Sequence, residues 1–329
     1  MQHKHIILLI LFGRYTYIYY FCNKEQKSMT YGIIGTGAIG GYYGAKMAKA
    51  GNEVHFLFRS DYKYVRAHGL QVNSCNGSFH LDDINAYCST KDMPKCDVVL
   101  VCLKTTANKH LSELLPPLLK EDTVVILIQN GIGVEDDVQK MFPDVQLAAG
   151  LAFICSAKTE PGVVDHQDYG QMNIGNYSAS AERIESIIAD FNNADIKAAE
   201  VNYKEARWRK AVWNMPFNGL TVALNTQTNK LLQNSSTRSL VREMMMEVVN
   251  AAQADGVENL REDFVEKMLD MTDNMRPYSP SMKLDYDFHR PMEIEYIYTR
   301  PTQIAEQVGC PMHKLKMLEE QLRFIESQK

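Results

Sequence analysis

The segment Tyr31-Gly-Ile-Ile-Gly-Thr-Gly-Ala-Ile-Gly-Gly41 restricts the fold more than any other part of this chain. Gly35, Gly37 and Gly40 have the GxGxxG spacing, in which the first glycine permits a tight turn, the second lets a pyrophosphate approach the backbone, and the third lets helix and strand pack closely. Such triplets also occur by chance in loops, so the flanking sequence decides. Tyr31 to Ile34 is a short apolar run, Ala38 to Ala50 reads as a small-residue helix ending at Gly51, and Glu53 to Phe58 alternates into a second strand. This is a βαβ unit of about 30 residues, whose helix would aim its first N–H groups at phosphates. Gly35, Thr36, Gly37, Ala38, Ile39 and Gly40 are therefore the expected cofactor loop. The alternative is a strand-to-helix turn without a ligand.

Arg59 closes the second strand. A carboxylate near this point would accept the ribose 2′-hydroxyl of NAD, whereas an arginine forks onto the 2′-phosphate of NADP. NADP is the expected cofactor. Asp61, two residues on, is the rival reading, and a merely solvated Arg59 is the third.

The 329 residues are enough for two domains, and 45% hydrophobic residues with a formal net charge of -5 give a soluble globular profile. The basic residues are scattered, which leaves no electrostatic footprint for nucleic acid. Seven cysteines, an odd number without a CxxC pair, suit reduced thiols in a cytoplasm better than a disulfide framework or a zinc site, and no metal is expected. At the N-terminus, the apolar run Ile6 to Phe12 and the aromatic run Tyr15 to Phe21 imitate a leader or short anchor. Gly13 and Arg14 interrupt them, they fall short of a clean span of about 20 apolar residues, and no small-residue cleavage site follows. Residues 1–28 are read as an extension outside the fold that reflects a misassigned start, with a membrane-tethered enzyme as the alternative.

Beyond the second strand, Asp97 to Leu103 and Thr123 to Ile128 are near-continuous apolar runs, as parallel strands covered on both faces should be. Asn108 to Leu119 suits a helix, Leu147 to Cys155 another strand, and Val163 to His166 with Met172 to Gly175 a hairpin turning at Asp168-Tyr169-Gly170. From Ala181 the pattern turns helical: Ala181 to Asn192, Ala206 to Leu224, Ser239 to Asp255, Arg261 to Met271, Glu293 to Val308, and a last helix from His313. Lys197 to Val201 could return to the sheet, and Pro216 and Pro301 should kink or break their segments. The expected fold is α/β: a Rossmann-type dinucleotide-binding domain over residues 29–200, then an all-helical domain over residues 201–329 that carries the substrate site.

Three places could carry chemistry. Lys104 follows an apolar strand and Asn130, in Gln129-Asn-Gly131, follows the next, where open α/β sheets bind ligands. A strand-ending lysine and an Asn-Gly turn are the bland readings. On the long helix after residue 206, Lys210, Asn214 and Asn218 recur every four residues and share one face. A lysine there, desolvated in a cleft, has its pKa lowered and could protonate a developing alkoxide. Ser281-Met-Lys-Leu-Asp285 and Glu293 add a hydroxyl and carboxylates late in the chain, although Glu293 near a helix start also suits a structural cap.

Taken together, these residues resemble the ketopantoate reductase family, NADP-dependent enzymes that reduce 2-dehydropantoate to pantoate on the way to coenzyme A. The similarity runs from about Met29 to the end. The glycine loop, Arg59, Leu103-Lys104-Thr105 and Gln129-Asn130-Gly131-Ile-Gly133 match the family's cofactor and strand-end motifs. The resemblance implies that Lys210 is the catalytic proton donor, and that Asn130, Asn214 and Asn218 orient the substrate. It further implies that Ser281 contacts the substrate carboxylate and Glu293 its hydroxyl, while Lys104 and Asn130 also serve the cofactor. Gly219 stands where the family usually has proline, Met292 where threonine is common, and Tyr298-Thr299 where Asn-Gly is usual. These departures lie in the substrate domain and bear on which 2-oxo acid is used. The implied partner is thus a small 2-oxo acid, with a homodimer left open. Reduction of another branched 2-oxo acid, or a non-catalytic NADP sensor, are the competing readings.

Overall fold

The computed structural model describes residues 6–12, 15–21 and 29–329. Strands β1 (Ile6–Phe12) and β2 (Tyr15–Phe21) pair antiparallel as a two-stranded sheet of their own. The rest of the expected extension, residues 1–5, 13–14 and 22–28, lies outside the described residues.

The remaining strands build one large sheet. Strand β3 (Thr30–Ile34) lies inside it, third from one edge, and helix α1 (Ala38–Lys49) returns the chain to β4 (Glu53–Leu57), parallel to β3. Helix α2 (Tyr62–His68) leads to β5 (Leu70–Ser74), β6 (Phe79–Leu81) and β7 (Asn85–Tyr87) at the margins. The chain then crosses to β8 (Cys96–Val101), on the other flank of β3. That reversal makes the β3/β8 strand ends a topological switch point, where doubly wound sheets bind their ligands. Tyr31, Ile33, Val98 and Leu100 are wholly buried, as strands covered on both faces require.

The expected helix after β8 is broken. Thr105–His110 is a 3₁₀ turn, α3 (Leu111–Leu114) is a single turn, and Pro116–Leu118 is again 3₁₀, because Pro116 and Pro117 cannot continue a helix. Next come β9 (Leu119–Leu127), α4 (Val134–Met141) and the long strands β10 (Gln146–Glu160) and β11 (Val163–Asn176). β10 and β11 form one antiparallel hairpin that turns at Pro161-Gly162. The expected turn at Asp168-Tyr169-Gly170 is instead a bulge within β11. Phe153 opposes Gln171 and Ile154 opposes Tyr169, so Gly170 is the extra residue, and Tyr169 and Gly170 take φ of 63° and 116°.

Helix α5 (Ala181–Asn193) then leads to β12 (Ala198–Val201), which pairs parallel with β11. This is the expected return to the sheet. Everything after it is helical: α6 (Tyr203–Ala223), α7 (Thr228–Gln233), α8 (Ser235–Ala254), α9 (Glu262–Asp273), α10 (Ser281–Asp287), a π-helical turn at Glu295–Thr299, α11 (Arg300–Gln307) and α12 (His313–Ser327). These helices enclose their own core around Trp208, Phe217, Met245 and Tyr298, apart from the sheet's two apolar layers. Pro216 lies inside α6 without ending it, because its neighbours Met215, Phe217 and Leu220 are buried and tertiary packing overrides the lost hydrogen bond. Pro301 falls in the first turn of α11, where its missing N–H is not needed.

Candidate active site

The glycine loop takes the shape its spacing demands. Gly35 has φ of 95°, and a Cβ there would lie 2.8 Å from the Leu103 amide nitrogen. A Cβ on Gly40 would come within 2.4 Å of the Gly35 carbonyl oxygen, so α1 sits on β3 with no room for a side chain. Around Gly37, by contrast, a Cβ would meet nothing within 4 Å. Gly37 is the N-cap of α1, where no side chain caps the helix and no acid sits in its first turn. An open space in front of unused N–H groups fits a pyrophosphate. Thr36 Oγ1 donates to the Leu57 carbonyl at 2.9 Å, tying the loop to the end of β4.

Just past β4, Arg59 is exposed. Asp61, its rival, is buried and already engaged. It pairs with Lys158, accepts from Ser60 Oγ at 2.8 Å and from the Gly162 amide at 3.1 Å. These partners hold its pKa below the ordinary carboxylate value against the opposing effect of burial.

Lys104 projects from the end of β8 toward the helical half. Its Nζ donates to Asp285 Oδ2 at 2.6 Å and lies 3.4 Å from Glu293 Oε2. Both carboxylates are almost wholly buried, whereas the lysine is 44% exposed. Glu293 Oε1 accepts from both the backbone N–H and the hydroxyl of Thr105, each at 2.9 Å. Glu293 is thus fixed by the first half of the chain rather than serving as a cap for its own segment.

Asn130 is half-buried at the end of β9. Its neighbour Gln129 is locked by Nε2, which donates to Leu103 O and to Asn108 Oδ1, both at 2.7 Å. The loop then docks on the π-helical turn, where the Tyr296 carbonyl accepts from the Ile132 amide at 2.9 Å. A π turn shifts the helical hydrogen-bond pattern and leaves a carbonyl for an outside donor.

On α6, Asn202 caps the helix by accepting from the Glu205 amide at 2.9 Å. Two turns on, Lys210 Nζ donates to the Ala152 carbonyl at 3.0 Å. β9 pairs with β10 only as far as Ala149, so this carbonyl lies on the part of β10 that runs on past the end of β9. Burial, together with the positive charge of Arg207, lowers the Lys210 pKa from 10.5 to about 7 against the opposing charge of Glu293. Lys210, Asn214, Arg207, Gly131, Tyr296 and Ile297 line one cleft.

Asn218 lies deeper. It is buried, and its Oδ1 accepts from the Met282 amide at 3.2 Å, which sets the first turn of α10 and with it the half-buried Ser281. The structure therefore gathers Lys104, Lys210, Asn214 and Glu293 where the strand ends meet α6, with Asn130 one residue before Gly131 of the cleft wall. Ser281 adjoins through Asn218, and the glycine loop with Arg59 forms the neighbouring strand end. Asp285, Thr105, Arg207 and the Ala152 carbonyl have parts in this cluster that the sequence reading did not assign. The carboxylate that ends Ser281-Met-Lys-Leu-Asp285 was the sequence signal for Asp285. Among the described residues no cluster of His, Cys, Asp or Glu suits a metal, and no helix is long and apolar enough to cross a membrane.

Two family models match the chain. Ketopantoate reductase PanE/ApbA covers residues 31–179, and the C-terminal ketopantoate reductase PanE/ApbA model covers residues 202–326. The chain belongs to the ketopantoate reductase family. As a member it is an oxidoreductase that works with a pyridine nucleotide. A 2-dehydropantoate 2-reductase from Nostoc sp. is 44% identical over 310 residues, 92% of this chain and 96% of that one. The crystal structure of the Geobacter metallireducens 2-dehydropantoate 2-reductase is 38% identical with a TM-score of 0.86, covering 89% of this chain and 99% of that one. A D-mandelate dehydrogenase with NADH and anilino(oxo)acetate shares the fold at 22% identity, with a TM-score of 0.80 over 91% and 99% of the two chains.

Proposed function

We propose that this ketopantoate reductase family member reduces 2-dehydropantoate to pantoate with NADPH in the cytoplasm, in the route to coenzyme A. The observation that carries the reading is the placement of Lys210: a lysine with its pKa near 7, in a cleft lined also by Asn214 and by Gly131, the residue after Asn130, and within the electrostatic reach of Glu293. An acid with a pKa near the working pH is the effective proton donor to an oxygen that becomes an alkoxide.

NADPH, when bound, supplies the hydride that reduces the C2 carbonyl. Gly35 to Gly40 would hold its pyrophosphate, Arg59 its 2′-phosphate, and Lys104 and Asn130 the part nearest the cleft. Asp61 is engaged by Lys158 and Gly162 rather than free for a ribose hydroxyl, whereas Arg59 is exposed and can meet an anion. Lys210 donates its proton to the C2 oxygen and is held for that step by the Ala152 carbonyl. Asn130 and Asn214 orient the substrate, Asn218 orders the segment that presents Ser281, and Ser281 receives the carboxylate. Glu293 spends one oxygen on Thr105 and keeps acceptor capacity on the other for the substrate hydroxyl. These roles are chiefly positioning and charge stabilisation. We place the working boundary between the cofactor half and the substrate half at Glu200.

A matrix of NADPH and NADH against 2-dehydropantoate and other branched 2-oxo acids tests this function. The expected result is turnover of 2-dehydropantoate with NADPH preferred, and an Arg59→Asp variant that raises the KM for NADPH far more than that for NADH. Turnover of another acid alone would reassign the substrate. Binding of NADPH without turnover of any acid would leave a sensor.

A further inference from the structure

One turn before Lys210 on α6 sits Arg207, a charged side chain only 2% exposed. Its Nη1 donates to the Gln129 carbonyl at 2.6 Å, directly before Asn130, and its Nη2 pairs with Glu135 at the start of α4. Glu135 is fully buried, and its other oxygen accepts from Tyr203 Oη at 2.9 Å. Arg207 and Glu135 therefore fasten the first turns of α6 to the strand end that carries Asn130. Burying two charges is expensive, and a well-packed apolar pair of the same volume would serve stability as well or better. This pair also lies beside the cleft that Arg207 lines together with Lys210 and Asn214.

We propose that Arg207, held by Glu135, is a positioning residue for the reaction: it fixes Lys210 and Asn130 as one unit and sets the charge that the proton donor feels. The inference rests on Lys210 being that donor. The charged groups facing Lys210 are Arg207 from its own helix and Glu293 from the segment before the π turn, with Lys104 and Asp285 behind Glu293. β10 presents the Ala152 carbonyl, and the Asn130-Gly131 loop brings no charge. Arg207 thus supplies the positive neighbour that works against protonation of Lys210, and Glu135 partly cancels it.

The test is the pH profile of kcat/KM for 2-dehydropantoate reduction with NADPH in two variants. Glu135→Gln leaves the arginine charge uncancelled, so the alkaline limb should move to lower pH. Arg207→Gln/Glu135→Gln removes both charges and leaves a neutral amide pair in place of the guanidinium fork, so the limb should move up by about one pH unit, with kcat reduced roughly tenfold or more. The NADPH Kd should change far less than kcat in both, because the glycine loop and Arg59, which would hold the pyrophosphate and the 2′-phosphate, are untouched. A purely structural pair would lower the melting temperature without moving the limb in opposite directions. An unmoved limb in either folded variant overturns the role given to Arg207. Full activity in Lys210→Ala would instead overturn the donor assignment itself, so the two failures are distinguishable.

Discussion

The Lys104 ammonium lies 2.6 Å from the Asp285 carboxylate, although 181 residues separate them in the chain. Asp285 also accepts from Arg290 Nε at 2.9 Å, so one buried carboxylate is shared between a cation from the end of β8 and one from the helical half. Lys104 is nearly half exposed, which screens the pair and limits its worth. Asp285→Asn should therefore destabilise the protein by only about 1–2 kcal/mol. Its larger effect should be on kcat/KM, because Lys104 loses the partner that aims it. Urea unfolding and steady-state rates on the same preparation check both parts.

The depressed pKa of Lys210 predicts a pH dependence whose sign can be worked out. Below about pH 7 the lysine is protonated in both states, and the folded protein bears the full penalty of a desolvated ammonium. Between about 7 and 10.5 the unfolded chain binds the extra proton, so stability rises with pH across that window. Lys210→Met should accordingly stabilise the protein below pH 7, with the gain disappearing toward pH 10.5. Unfolding midpoints measured across this range decide the matter. In the wild type, reduction should slow as pH rises through the pKa of Lys210, since the donor then has no proton to give.

Two glycines of the cofactor loop should respond oppositely to the same substitution. Gly40→Ala drives a methyl into the Gly35 carbonyl and the Ile33 side chain, and should destabilise the fold by about 1–3 kcal/mol. Gly37→Ala meets no protein atom, so its melting temperature should match the wild type while its NADPH Kd rises. Equal losses of stability in both variants would mean that the space at Gly37 is not kept for a ligand.

Gly219 and Tyr298, two of the departures from the family pattern, turn out to be neighbours. A Cβ on Gly219 would come within 2.5 Å of Tyr298 Oη and 2.6 Å of Leu318 Cδ2. Tyr298 is fully buried, and its hydroxyl donates to the Met215 carbonyl on α6 at 2.6 Å. The small residue makes room for the large one, which joins the π-helical turn to α6. Gly219→Ala should cost about 1–3 kcal/mol by overpacking, and Tyr298→Phe should recover only part of it, because Leu318 still blocks the methyl. A double-mutant cycle by chemical denaturation measures the coupling.

What could be read from the sequence was what is local or periodic. The glycine loop and its βαβ flanks, the apolar runs that became β8 and β9, and the four-residue spacing of Lys210, Asn214 and Asn218 depend on neighbours in the chain, and the structure contains them. The β10–β11 hairpin was misplaced because Asp168-Tyr169-Gly170 has turn chemistry, while the actual turn at Pro161-Gly162 joins two strands longer than expected. The partners of the site residues were hidden for another reason. Arg207 with Glu135, Lys104 with Asp285 and Thr105 with Glu293 are contacts across 72 to 188 residues, which no local pattern encodes. The π turn at Glu295–Thr299 reads as ordinary helix in sequence, since only its docking against Ile132 distinguishes it.

The most direct measurement of the whole account is NADPH oxidation in the presence of 2-dehydropantoate, run side by side for the wild type and Lys210→Ala. The account predicts turnover by the wild type and a loss of about 10²–10⁴ in kcat for the variant, with NADPH binding retained. A wild-type protein that binds NADPH and leaves 2-dehydropantoate unreduced, or a Lys210→Ala variant of undiminished kcat, would contradict it.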